Sequence, residues 1–91
     1  MIYVIVELET ANCKVGYSRN PDKRLRELQT GNPNTLSILC TLEGDKPDER
    51  MIHDKWKDVH MKGEWFSYNE KFVDWLYSPT GYRYERQQKL W

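Results

Sequence analysis

Ninety-one residues leave room for one domain with a small core, and four Trp, six Tyr and two Phe supply much of its apolar area. Fourteen Lys and Arg balance fourteen Asp and Glu, so composition by itself does not announce a nucleic-acid binder. Distribution says more. Residues 12–30 carry five basic and two acidic side chains, whereas residues 43–58 carry six acidic and four basic ones. That asymmetry suits a phosphate site beside a metal ligand, and it equally suits ordinary ion pairing.

The first apolar run, "MIYVIV", meets Glu7 and Glu9 at once. It is too short for a signal peptide or a membrane span, so a soluble, cytoplasmic protein with no membrane partner is expected. Residues 2–7 are β-branched and aromatic, which predicts a strand with Ile2, Val4 and Val6 on one face and Tyr3, Ile5 and Glu7 on the other. "ETAN" turns the chain, and "CKVGYS" returns as the second strand of a hairpin. Asn20 as N-cap with Pro21 behind it predicts a helix over about 21–29, stopped near Gly31, with Leu25 and Leu28 inward. "TLSILCTL" reads as a third strand whose alternation places Leu36, Ile38, Cys40 and Leu42 on one face.

A second helix is expected over about 47–60, capped by Asp45, with Ile52, Trp56 and Val59 as its apolar stripe. "KGEWFS" suits a short strand or an ordered loop. "NEKFVDWLY" predicts a third helix with Phe72, Trp75 and Leu76 inward. Pro79 and Gly81 are expected to end the packed domain, giving a domain over 1–78 and a polar-aromatic tail over 79–91. Cys13 and Cys40 lack paired spacing and read as thiols in a reducing compartment. The expected class is α+β: a small three-stranded antiparallel sheet flanked by helices, in the order β-β-α-β-α with a further C-terminal helix.

Several residues have types and spacings that suit phosphate chemistry. The hairpin brings Tyr3 opposite the Lys14–Gly16 region, and Gly16 leaves space for a close approach, although a strand Tyr more often serves packing. Arg24 lies one turn into the helix, where a guanidinium can fork onto phosphate oxygens as Lys cannot. Lys23 and Arg26 point to other sectors and suit a solvated face or non-specific backbone contact. Glu49 and His53, at i and i+4, can meet on one metal or phosphate, or simply on each other. The spacing offers no full zinc set, whereas one carboxylate with water ligands suits magnesium. In "GEWF", Glu64 and Trp65 read first as a packing corner, with base stacking on Trp65 as the sharper reading.

"IYV" before "KVG", then "YSRNPDKRL", an Asp-Glu-Arg helix start, "ERMIHDKW" and "GEWF" together resemble the GIY-YIG nuclease superfamily. The likeness is to its compact phage and bacterial branch, whose second signature begins with Lys, and it covers residues 2 to about 76. The resemblance implies that Tyr3 is the first-signature Tyr, Gly16 the second-signature Gly, Arg24 the catalytic Arg and Glu49 the metal-binding Glu. Lys14 stands where the second signature usually has Tyr. An ammonium with an ordinary pKa of ~10.4 cannot replace a phenol, though it can stabilise phosphate charge. Tyr17 is the nearest other phenol, but strand alternation puts it on the face opposite Lys14.

The implied function is Mg²⁺- or Mn²⁺-dependent hydrolysis of DNA phosphodiester bonds. Tyr3, Lys14, Arg24 and Glu49 would be catalytic, with Gly16, Tyr17, Lys23, Arg26 and His53 at the substrate. The alternative is a binding protein that keeps the pocket for nucleic acid or another phosphate-bearing ligand without hydrolysis. A structural interaction domain leaves the Tyr3–Arg24–Glu49 set unexplained. A homo-oligomer is compatible with either active reading.

Overall fold

Strand β1, Ile2–Glu7, runs through the middle of the sheet and is buried on both of its faces. The computed structural model describes residues 1–88. β1 pairs antiparallel with β2, Cys13–Tyr17, and on its other side with β3, Leu36–Leu42. A two-residue strand β4, Trp65–Phe66, adds to the outside of β2, so the sheet has four strands in the order β3-β1-β2-β4 rather than the expected three. "GEWFS" carries too few residues for periodicity to register, and only its pairing with Cys13 and Lys14 makes it a strand.

One face of the sheet is covered by α1, Pro21–Thr30, whose Leu25 and Leu28 pack on Tyr3, Ile5 and Leu36. Asn20 caps this helix by accepting the Lys23 N–H at 3.1 Å, and Pro21 opens it with the backbone angle a first turn needs. The other face meets α2, Lys46–Lys55, α3, Glu70–Tyr77, and α4, Tyr82–Gln88. Ile2, Val4, Val15, Ile52, Phe66 and Phe72 form the centre of this larger core. No described helix is long and apolar enough to cross a membrane.

Three expectations need correction. The α2 helix ends at Lys55, capped at Trp56, and the chain continues as a 3₁₀ turn over Lys57–Val59. β3 does not keep one apolar face. Its register against β1 slips between Val4 and Ile5, so Leu36 and Ile38 join the α1 side while Leu39, Cys40 and Leu42 join the α2 side. One extra residue in a strand inverts the alternation beyond it, and a sheet covered on both faces can accept either sense.

Packing also continues past Gly81. Tyr82 is buried in the larger core and donates its hydroxyl to the Glu43 carbonyl at 2.6 Å. Lys55–Glu85 and Arg86–Asp48 ion pairs, at 2.9 and 3.4 Å, fasten α4 to α2. The last part of the expected tail, residues 89–91, lies outside the described residues.

Candidate functional site

The β1–β2 register sets Tyr3 directly opposite Gly16 and Ile5 opposite Lys14. Cross-strand partners share a face, so Tyr3, Lys14 and Gly16 all look toward α1. A Cβ at Gly16 would collide with the Tyr3 ring and hydroxyl and stand 2.7 Å from Glu64 Oε1. Glycine is therefore the residue that lets the phenol lie across β2 and reach the sheet edge. There Tyr3 donates to Glu64 Oε1 at 3.2 Å, and the same oxygen pairs with Lys14 Nζ at 3.3 Å. Lys14 is further held over the Trp65 ring, 5.5 Å from its centroid.

Arg24, half-buried on α1, completes this cluster from the third direction. Its guanidinium lies near enough to the Tyr3 phenol to pull the phenol pKa down, while the phenol draws the guanidinium pKa up. Burial wins at Tyr3, assisted by the Glu64 charge, and the phenol is a weaker acid than usual. Arg24 also pairs with Glu27 at 3.6 Å. Lys23 and Arg26 are exposed on the same helix, and among the described residues their side chains make no ion pair.

Across the sheet edge lies an open groove of about 420 Å³, lined by Tyr17, Lys46, Glu49, Arg50, His53 and Glu64. Tyr17 pairs with Ile2 and so belongs to the face opposite Lys14, the side its strand position indicates. Glu49 is half-buried on α2, and burial, then repulsion from Glu64, pushes its carboxyl above the ordinary range. His53, Lys46 and Lys14 draw it down again. His53 Nε2 lies 3.0 Å from the Val15 carbonyl and 3.8 Å from Glu49 Oε1. Its ring sits edge-on to Phe66 at 4.8 Å. His53 thus ties α2 to β2 through a backbone bond, and Glu49, beside it on the groove, makes no side-chain hydrogen bond among the described residues.

Glu64, which the sequence presents as part of a packing corner, belongs to the site. It stands one position before β4, reaches Tyr3 and Lys14 on one side, and lines the Glu49 groove on the other. Its neighbour Trp65 points to packing, and only the pairing of β4 with β2 reveals the carboxylate's reach. Among the described residues no group of three or more His, Cys, Asp and Glu side chains is arranged as a metal cage. What the groove offers is carboxylate oxygen with open space around it.

Two features define the protein at this point: a small α+β fold, and a hairpin flanked by a basic helix on one side and a carboxylate groove on the other. The chain belongs to the T5orf172 domain family, which it matches over residues 1–78, a domain found in nuclease-like proteins of phages and bacteria. No curated protein and no solved structure matches the chain.

Proposed function

We propose that the protein is a metal-dependent endonuclease of the GIY-YIG kind that hydrolyses DNA phosphodiester bonds. The observation that carries this reading is the convergence of Tyr3, Lys14 and Arg24, from β1, β2 and α1, beside a groove that holds Glu49. Arg24 presents a planar fork to the non-bridging oxygens of a phosphate. Lys14, held in position by Glu64, adds positive potential at the same place. The Tyr3 hydroxyl is the proton carrier. It takes a proton from the attacking water while passing its own along the existing hydrogen bond to Glu64. A phenol with a raised pKa spends almost no time as free phenolate, so this coupled transfer is the step that the geometry favours.

Glu49 is the residue to hold Mg²⁺ or Mn²⁺. Its carboxyl is raised by burial and by Glu64, a local excess of negative charge that a divalent cation offsets. Magnesium keeps several waters and needs few protein ligands, which suits an open, oxygen-lined groove. When bound, the ion supplies Lewis-acid stabilisation of the phosphate oxygens.

The test is cleavage of plasmid and oligonucleotide DNA with Mg²⁺ or Mn²⁺ by the parent, Tyr3→Phe, Arg24→Ala and Glu49→Ala. The parent cuts, and each variant falls by about 10²-fold or more, the scale of losing an acid–base or charge-stabilising group. Glu49→Ala cutting as fast as the parent would remove Glu49 from the site. The second reading is a phosphate-binding protein without hydrolysis, and the ammonium of Lys14 at a phenol position favours it. Under that reading the parent does not cut, and Glu49→Ala binds DNA at least as tightly because a negative charge is gone.

A further inference from the structure

The groove poses an electrostatic problem. Glu49 and Glu64 line it together, and two carboxylates facing an incoming phosphodiester strand would repel it. Two cations occupy the same rim. Lys46 and Arg50 sit one turn apart at i and i+4 on α2, with Glu49 between them in sequence, while Met51 and Ile52 turn inward to the core. Both cations are exposed.

Several cations around the groove are held in ion pairs. Lys55 is bound to Glu85, Arg86 to Asp48, Lys14 to Glu64 and Arg24 to Glu27. Lys46 and Arg50 have no such partner among the described residues. On α2, Lys55 and Asp48 are thus taken up in ion pairs with α4, while Lys46 and Arg50 are left at the groove. Tyr17 from β2 lines the same groove, so a strand lying there would meet an aromatic ring as well as the two cations.

We propose that Lys46 and Arg50 bind the nucleic-acid backbone on the Glu49 side of the site, so that one DNA strand is held on both flanks of the phosphate at Arg24. Exposed Lys23 and Arg26 on α1 serve the opposite flank. The inference rests on the nuclease reading for the identity of the strand, but it concerns binding and not hydrolysis.

The experiment measures affinity of the Glu49→Gln protein for a short DNA duplex across a salt series. Lys46→Ala, Arg50→Ala and Lys71→Ala are each introduced into that protein. Lys71 is the control, exposed on α3 and lining a different depression with Trp75 and Thr80. Each duplex phosphate neutralised contributes about 0.9 to the slope of log affinity against log salt. Lys46→Ala and Arg50→Ala are each expected to weaken binding and flatten the slope by about that amount, with Lys71→Ala unchanged. Slopes for Lys46→Ala and Arg50→Ala equal to that of Lys71→Ala would overturn the proposal. Flattened slopes with a parent that never cuts would keep this inference and sink the hydrolytic reading. A parent that cuts, with unaltered slopes, would do the reverse.

Discussion

The Tyr3 phenol is almost wholly buried, yet its oxygen meets a carboxylate, a guanidinium and the bare backbone of Gly16. Each neighbour pulls on the proton in a stated direction. Burial and Glu64 hold it on the oxygen, and Arg24 draws it away. Glu64→Gln keeps the shape of the acceptor while removing its charge, so the Tyr3 pKa should fall, as followed by the ring-carbon shift in an NMR titration. Under the proposed hydrolytic reading, cleavage should drop by about 10-fold or more, because a neutral amide cannot take up a proton passed on by Tyr3. An unchanged titration would mean that Glu64 does not sense Tyr3. Tyr3 and Gly16 stand out in the sequence as a hairpin pair, since strand length and turn position set the register between them. Glu64 does not, because nothing local links residue 64 to residues 3 and 14.

Among the elements, α1 carries Arg24 but contributes no fully buried side chain, only the half-buried Leu25 and Leu28. A helix so lightly packed depends on its cap. Asn20→Ala removes the acceptor of the Lys23 N–H and should cost about 1 kcal/mol, measured by urea unfolding. Arg24 lies in that first turn, so activity should fall further than stability alone accounts for. The helix is legible because Asn20, Pro21 and Gly31 mark both of its ends. β3 is legible in extent and not in facing, since its bulge depends on which side of the sheet has room for Leu39.

At the scale of the whole molecule, a sheet of four strands is sandwiched between α1 and the α2–α3–α4 layer, and both thiols are free. Burial raises the Cys40 thiol to about 11. A folded-state pKa above the unfolded value means that the native protein keeps a proton the unfolded chain releases. The stability that Cys40 contributes is therefore full below about pH 9 and is lost as pH rises through 11. Tyr3, Tyr77, Tyr82 and Cys13 are raised as well, so thermal stability should fall steadily on the alkaline side. Cys40→Ala should make that fall shallower between pH 9 and 11, read as Tm against pH. An identical slope would show that the thiol titrates alike in both states.

By itself the sequence determined the starts of α1, α2 and α3, the first hairpin and the three long strands, because caps, prolines and short-range alternation act over a few residues. It also held the four separated motifs that resemble a nuclease and pointed to Tyr3, Arg24 and Glu49. Only the tertiary structure decided that β4 exists, that β3 changes face, and that Tyr82 returns to the core. It alone brought Glu64 to both Tyr3 and Lys14, and left Lys46 and Arg50 at the groove with no ion-pair partner among the described residues. Those outcomes depend on contacts between residues tens of positions apart, where burial and charge are settled by what the rest of the chain places nearby.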